Sequence, residues 1–442
     1  MLGRSRIASL LRNSIVQVTM ANLLSVGLGT ISGVLTARGL GPEGRGQWAV
    51  IMAYFTVALV VAELGQSGAV TFFVARDPKR RREVVRQARR IMLLGGVVVT
   101  TAGVLAAPAL ARGDEQTTLA YQVAAAGILI NSFFAGRLYA MQARNIKRWN
   151  IARVAQPSFY ALGTTVMLLL GNMTVLGVAV ALITSTSLQF IVLGFLVKGT
   201  TAQAESVQAN PRESPLSDQG EGSPGDDLPR ENSLSQGGYG ARYSAAAIPT
   251  VLAAQYDKII LSRITNPVDV GLYSVGSTVA LLVAPFSAAI ANVVFPKAST
   301  RELLWNDRRS FEKRTILQVL IVSIFVSVGL CSAAPIAVPF FFGGDYEDSV
   351  PVVWALATVM VARSISQVAG ALIRARGLPG AAAIAQVAGL LVGAALMVPA
   401  VSLLGLLGAA GALGLGEIIT LTVVLSTVWR LQRKDERTAS QT

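Results

Sequence analysis

The sequence contains no histidine and only one cysteine, Cys331, among its 442 residues. Without histidine there are no histidine-ligated metal sites, no histidine-activated nucleophiles and no histidine proton relays. One cysteine cannot form an intramolecular disulfide. Cys331 lies in an apolar run, so we interpret it as a small core residue. Charge is scarce as well: only 14% of residues are charged, against about a quarter in soluble proteins.

Apolar residues make up 52% of the chain, and the mean hydropathy is +0.56. Runs of about 20 apolar residues recur along the whole length, and each can cross roughly 30 Å of hydrocarbon. Between Gly380 and Trp429 the polar break is so slight that we place a turn at Pro399–Gly405. The sequence therefore predicts an all-α membrane protein with twelve transmembrane helices, at 14–37, 47–74, 91–111, 119–141, 151–170, 175–197, 243–263, 270–296, 315–342, 349–373, 380–401 and 406–428.

The positive charges are distributed unevenly between the predicted loops. Ser14–Ala37 holds no charge over 24 residues. This exceeds the roughly 7–15 residues of a signal-peptide core, so we interpret it as a retained first helix. With a cytoplasmic N-terminus, 32 of the 38 Lys and Arg residues fall in segments predicted to be cytoplasmic. Positive residues of membrane proteins collect on that side. The net charge of +14 therefore indicates orientation, with both termini cytoplasmic, and no nucleic-acid partner.

One polar stretch divides the chain between the sixth and seventh predicted spans. It is rich in Ser, Gln, Pro, Gly and acidic residues. Such a composition buries too little apolar surface to offset the entropy of ordering. The predicted organisation is an N-terminal six-helix lobe at 1–197, a disordered cytoplasmic linker at 198–241, a C-terminal six-helix lobe at 242–429 and a cytoplasmic tail at 430–442.

A thirteen-residue motif occurs twice, as RGLGPEGRGQWAV at 38–50 and RITNPVDVGLYSV at 263–275. Both copies follow the first span of their lobe, which predicts two parallel six-helix repeats. In each copy the proline and glycine are expected to form a compact turn between helices. The arginine is expected to reach the membrane interface, and the aromatic residue, Trp48 or Tyr273, to lie at headgroup depth. The residues of these repeat turns are Arg38, Pro42, Gly46, Arg263, Pro267 and Gly271.

Two segments around these motifs carry a family resemblance. LTARGLGPEGRGQWAVIMAYFTVALVVAELGQSGAV and AAQYDKIILSRITNPVDVGLYSVGSTVALLVAPFSAAIANVVFPKAS resemble the oligosaccharide flippases of bacterial polysaccharide biosynthesis, the O-antigen or Wzx-type transporters. PFFFGGDYEDSVPVV is similar to a short outer loop of that family. The central linker is longer than is usual in the family.

This resemblance implies the fold of the multidrug/oligosaccharidyl-lipid/polysaccharide (MOP) exporter superfamily, with two MATE-like six-helix lobes around a central cavity. It implies that an undecaprenyl-diphosphate-linked oligosaccharide moves between the leaflets of the bacterial cytoplasmic membrane by alternating access. The implied partners are this substrate, the lipid bilayer and polysaccharide assembly proteins.

Charged side chains at membrane depth cost about 2.5–3.5 kcal/mol each, so those that occur usually face a cavity or a partner. Arginine or lysine can neutralise a diphosphate that leaves water, and sugars need hydrogen-bonding side chains. The acids Glu63 and Glu417 are candidates for ion coupling; alternatively, either could pair with an arginine and only hold the helices together. The predicted cavity residues are Arg363, Lys258, Asp257, Gln255, Asn131, Gln17, Asn22 and Gln156.

The sequence holds no phosphate-binding loop, paired cysteines or dinucleotide fingerprint, so no cofactor is predicted. Energy must then come from an ion gradient, the membrane potential or the substrate gradient. Two alternative functions stay open. An ion-coupled multidrug exporter of the same fold would favour an acidic cavity for cationic drugs. A membrane glycosyltransferase or polymerase would need a catalytic constellation, usually on a large outer loop, whereas the predicted outer loops are short. We therefore predict a flippase that is not an enzyme.

Overall fold

A computed structural model of the chain describes residues 14–208, 235–288, 290, 305–376 and 378–439. Every regular element in these ranges is helical, which confirms the predicted all-α class. The helices are α1 Ser14–Glu63, α2 Gln66–Arg76, α3 Arg81–Leu110, α4 Glu115–Arg144, α5 Ile146–Leu169, α6 Val175–Gln208, α7 Gln236–Ile264, α8 Pro267–Ala280, α9 Trp305–Phe342, α10 Val350–Ala375 and α11 Pro379–Ala439. We call residues 14–208 the first half and 235–439 the second half.

Helix α1 consists of two arms that reverse at Gly41. Gly41 has φ 66° and ψ 179°, a backbone conformation that glycine adopts readily and other residues rarely do. Arg45 Nη1 donates to Thr36 Oγ1 at 2.9 Å. Nine residues of continuous helix would separate the two backbones by about 13.5 Å, so the arms fold back on each other. The predicted turn is therefore made by Gly41, while Pro42 begins the second arm and Gly46 lies inside it.

Helix α11 reverses in the same way at Gly405, where φ is 58°. A Cβ atom at Gly408 would collide with the carbonyl of Ala400. Farther from the turn, Thr420 Oγ1 donates to the carbonyl of Ala385 at 3.3 Å. The two arms therefore pack side by side, and the turn predicted at 399–405 is confirmed.

Within the described residues, eight helical segments are long and apolar enough to cross a membrane. Two of these, Gln17–Glu63 and Gly380–Arg433, contain the reversals at Gly41 and Gly405. Helices α5 and α7 overlap the predicted spans at 151–170 and 243–263 but fall short in hydropathy. The membrane fold is confirmed, and the count of twelve spans stays a prediction.

Two predicted boundaries differ from the structure. The predicted second span, 47–74, is interrupted where Leu64 and Gly65 adopt positive φ values of 46° and 69°. Gly65 packs so closely on the carbonyl of Gly240 that a Cβ atom would collide with it, which explains a glycine at this break. Within the predicted linker, α6 continues to Gln208 and α7 begins at Gln236. The rest of that linker, 209–234, lies outside the described residues.

The two copies of the repeated motif contact each other. A Cβ atom at Gly46 would collide with the carbonyl of Pro267, and one at Gly271 would collide with the carbonyl of Pro42. Each glycine therefore gives the backbone of the other copy room to approach. The contact is reciprocal, as expected when two parallel repeats meet across a pseudo-twofold axis. The duplication thus builds a close junction between the halves, which we call the motif junction.

The two motif arginines strengthen this junction in a reciprocal manner. Arg38, in the first half, donates to the carbonyls of Phe340 and Phe341 in the last turn of α9. Arg263, in the second half, lies 3.4 Å from the carbonyl of Ala109 in the last turn of α3. The last carbonyls of a helix lack intrahelical donors, and a cation beside them is favourable. Each arginine therefore binds a helix end of the other half, and its contact with the membrane interface stays a prediction.

The aromatic residues of the two motifs are core residues. Trp48 is 3% exposed and Tyr273 is fully buried, so both rings pack against protein, and their place at headgroup depth stays a prediction. The Tyr273 hydroxyl donates to Asp257 Oδ2 at 3.1 Å, and Trp48 stacks on Tyr160. The two rings are buried because the close backbone contact at the motif junction directs neighbouring side chains into packed protein.

Candidate functional site

A cavity of about 390 Å³ lies among α7, α10, α11 and residues 281–287, which follow α8. We call it the arginine–glutamate cavity. Arg363 reaches it from α10 and Glu417 from α11. Arg363 Nε is 3.6 Å from Glu417 Oε1, and the two side chains are 30% and 16% exposed. A bidentate arginine–carboxylate pair has two short contacts. By comparison the Arg363–Glu417 pair, at 3.6 Å, is loose. The guanidinium therefore compensates Glu417 and still presents N–H groups to the cavity.

A second cavity, of about 530 Å³, adjoins the first and is lined from both halves of the chain. The two cavities share Leu281, Ala284 and Gln367. The first arm of α1 supplies the polar lining residues Thr19, Asn22, Ser25 and Thr30. The structure therefore places the predicted residues Asn22 and Arg363 in adjoining cavities, with Gln367 between them.

One face of α10 supplies two cations to the first cavity. Arg363, Gln367, Gly370 and Arg374 all line it, and their spacing of four, three and four residues keeps them on one helix face. Sequence reasoning missed Arg374, because its position near the end of a span suggested a loop charge. The signal that could have found it is its spacing of eleven residues from Arg363.

Amide and hydroxyl groups complete the lining. Ser287 Oγ donates to Gln367 Oε1 at 3.0 Å, and Thr250 Oγ1 donates to Gln386 Oε1 at 2.7 Å. Such groups can exchange these bonds for bonds to sugar hydroxyls. The cavity therefore combines two guanidinium groups, one carboxylate and several neutral hydrogen-bonding groups.

Several predicted cavity residues lie outside the two cavities. Asp257 and Lys258 form an ion pair at 3.7 Å, and Asp257 also accepts the hydrogen bond from Tyr273. Neither of them lines the two cavities described above, nor do Gln255, Gln17, Asn131 and Gln156. On α7, Tyr256 lines the first cavity instead. Asp257 is only 4% exposed, so it stabilises the motif junction through Tyr273.

Glu63 lies in the first half, away from Arg363. Its carboxylate accepts hydrogen bonds from the Tyr139 hydroxyl at 2.5 Å and from Asn131 Nδ2 at 3.3 Å. Glu63 is 7% exposed, and within the described residues no Lys or Arg forms an ion pair with it. The predicted alternative of a Glu63–Arg363 pair is therefore absent from this structure, whereas the Glu417–Arg363 pair is present.

The fold is similar to those of solved membrane transporters. An inward-facing multidrug resistance MATE family transporter of the MOP superfamily matches with a TM-score of 0.72 at 16% identity, over 97% of this chain and 100% of that one. An outward-facing MATE family transporter gives 0.64 at 16%, over 97% and 98%. The lipid II flippase MurJ, in an inward closed conformation, gives 0.71 at 15%, over 92% and 86%. These likenesses define the class: a MOP-type transporter fold.

The polysaccharide biosynthesis protein family matches residues 10–302 of this chain. A comparison with curated protein sequences gave no match. Because the family match covers well over half of the 442 residues, the chain belongs to the polysaccharide biosynthesis protein family. The solved structures that share this fold are membrane transporters and a lipid II flippase.

Proposed function

We propose that this protein flips a polyprenyl-diphosphate-linked oligosaccharide across the bacterial cytoplasmic membrane for cell-surface polysaccharide biosynthesis, and that it is not an enzyme. The observation that carries the proposal is the pair of arginines on one face of α10, lining a cavity with one carboxylate. Family membership supports a polysaccharide precursor as the substrate. The bilayer would deliver this substrate, and polysaccharide assembly proteins would receive it.

The cavity chemistry fits the diphosphate headgroup. In a water-poor site a diphosphate needs cations and N–H donors, and a guanidinium presents both in a planar fork. Arg363 can turn from its loose contact with Glu417 toward a phosphate, and Arg374 lies eleven residues along the same helix face. Asn22, Gln367 and the hydroxyls of the adjoining cavity would then contact the sugars.

Alternating access requires the halves to separate at one end while they close at the other. The motif junction supports such a mechanism, since its contacts join one half to the other through glycines and side-chain hydrogen bonds. In this mechanism the motif junction closes one entrance to the cavity. The motif end is the outer end in the predicted orientation.

Glu63 is the better candidate for ion coupling. Its carboxylate can take up a proton without losing its hydrogen bonds to Tyr139 and Asn131, because both neutral partners can rearrange around a carboxylic acid. Glu417 already compensates Arg363, so its protonation would release that arginine. Protonation of Glu417 would therefore break an ion pair, whereas protonation of Glu63 would not.

Replacing Glu63 by glutamine should uncouple transport from a proton gradient. The amide retains a carbonyl acceptor for Tyr139 but cannot exchange a proton. In reconstituted vesicles, we expect an imposed pH gradient to accelerate transport by the unchanged protein and to have no effect on Glu63→Gln. The matched control is Glu115→Gln at an exposed helix start. An equal response of Glu63→Gln and the unchanged protein would exclude this role.

A multidrug exporter is the second candidate, favoured by the same buried carboxylate, since such an exporter can couple to protons. The arginine content of the cavity distinguishes the two, because cationic drugs would meet two guanidinium groups there. Cells that lack their own oligosaccharide flippase should regain surface polysaccharide when they express this chain, with unchanged resistance to cationic drugs. Drug resistance without polysaccharide would favour the exporter.

The proposed orientation has both termini in the cytoplasm. Single cysteines in a Cys331→Ala background test it at two exposed positions, Lys79 and Glu115. An impermeant thiol reagent added outside intact cells should label the cysteine at 115 and leave the one at 79 unlabelled. The reverse pattern would show the opposite orientation, and labelling of both would contradict the assignment of the third span.

A further inference from the structure

A separate cavity of about 530 Å³ lies in the first half, between α3, α4, α6 and the start of α5. Its described lining contains no Asp or Glu. We call it the arginine pocket. Its cationic lining residues are Arg81, Arg82, Arg86, Arg89, Arg137, Arg144 and Arg148.

The helix periodicity turns these arginines toward one space. Arg82, Arg86 and Arg89 follow a four- and three-residue spacing on α3, and Arg137 and Arg144 lie two turns apart on α4. Helices α3 and α4 pack against each other, so the two basic faces converge. Like charges at such proximity repel each other. The nearby acid Glu83 does not relieve this, because it pairs with Arg80 outside the pocket lining. An anion bound in the pocket would relieve this repulsion.

The pocket continues into an exposed apolar surface. Val97 lies eleven residues after Arg86, on the same face of α3, and is 52% exposed. On α4, Leu129 lies one turn before Phe133 and is 37% exposed. Phe133 forms part of the pocket wall, with the guanidinium of Arg89 5.1 Å from its ring centre. A ligand that fits this surface has an anionic head and an apolar tail.

We propose that the arginine pocket binds the phosphate headgroup of a membrane lipid that carries two or more negative charges. A lipid fits better than a soluble anion, because the basic lining leads directly onto apolar helix surface that only a lipid tail would cover. Several guanidinium groups suit a headgroup with more than one phosphate. The site is distinct from the arginine–glutamate cavity and does not depend on the proposed transport function.

Native mass spectrometry of the full-length protein, with added lipids, tests this proposal. We expect cardiolipin, with its two phosphates, to stay bound more tightly than phosphatidylglycerol, and phosphatidylcholine to dissociate. The variant Arg82→Gln/Arg86→Gln/Arg137→Gln changes three exposed side chains, so its folding should be unaffected. Each arginine near an anionic lipid surface contributes roughly five-fold in affinity, so cardiolipin should bind about a hundred-fold more weakly.

The matched control removes the same charge from exposed positions outside the pocket lining, as Lys79→Gln/Lys147→Gln/Arg314→Gln. It should retain cardiolipin within about five-fold. Equal losses in both triple variants would show diffuse charge attraction and overturn the proposal. Tighter binding of inorganic pyrophosphate than of cardiolipin would also overturn it, because the apolar surface would then contribute nothing.

Discussion

Valine at position 46 is expected to hold the two halves apart at the motif junction and to abolish transport. Its Cβ atom would occupy the position of the Pro267 carbonyl, and a backbone carbonyl cannot rotate away as a side chain can. Overpacking of this kind costs about 1–3 kcal/mol or more. A change of that size shifts a two-state equilibrium by roughly 5- to 150-fold, away from the closed junction. Gly271→Val should have the same effect, because its contact with Pro42 is reciprocal.

The control for these variants is Gly27→Val on the first arm of α1, where a Cβ atom meets nothing within 4 Å. It introduces the same valine into a helix without a collision. Spin labels at exposed positions on either side of the junction should show a longer distance in Gly46→Val than in Gly27→Val. Normal transport by Gly46→Val would show that this junction need not close.

Replacing Arg363 by alanine is expected to abolish flipping. Hydrogen bonds to charged groups contribute about 1.5–3 kcal/mol, so the diphosphate should bind roughly 10- to 100-fold more weakly. Arg363→Lys should retain part of the activity, since a point charge still attracts phosphate but lacks the bidentate fork. Because Arg363 also compensates Glu417, Arg363→Ala should lower the amount of folded protein as well.

The double variant Arg363→Gln/Glu417→Gln separates these two effects. Removing both charges eliminates the unpaired carboxylate, so the amount of folded protein should recover while flipping stays absent. The single variant Glu417→Gln keeps the arginine and should retain diphosphate binding. If the double variant flips normally, Arg363 serves only the ion pair, and the diphosphate must bind elsewhere.

The helices were predictable from the sequence because each apolar run is long and continuous. The turn at Gly405 was predictable too, from the need to divide a run too long for one span. The break at Leu64–Gly65 was not, since its cause is the close approach of Gly240 from a distant part of the chain. Local sequence carries no information about such a contact.

The repeated motif shows the same limit. Its duplication predicted parallel repeats. A turn between helices was enough to explain Pro42 and Gly46, so nothing in the sequence indicated that the two copies contact each other. The structure shows that Gly46 is required for the approach of Pro267. The burial of Trp48 and Tyr273 also follows from this tertiary contact, which surrounds both rings with packed protein.

The sequence predicted Arg363, the candidate-site residue whose charge is most costly to place in a membrane. It did not predict Arg374, the second arginine of the site. Arg363 was recognisable because a charge in mid-span needs a partner or a cavity, and the structure shows it with both. Arg374 looked like an ordinary charge at the end of a span. Asp257 and Lys258 looked equally promising but neutralise each other, which only the folded arrangement reveals.

The central claim is best tested by measuring flipping directly. The purified protein is reconstituted into vesicles that contain polyprenyl-diphosphate-linked oligosaccharide in the inner leaflet, and an impermeant glycan-cleaving enzyme is added outside. We predict that the cleaved fraction rises with time for the unchanged protein and stays at the protein-free level for Arg363→Ala. If the cleaved fraction stays at the protein-free level with folded protein that carries no substitution, the proposal that this chain is an oligosaccharide flippase is contradicted.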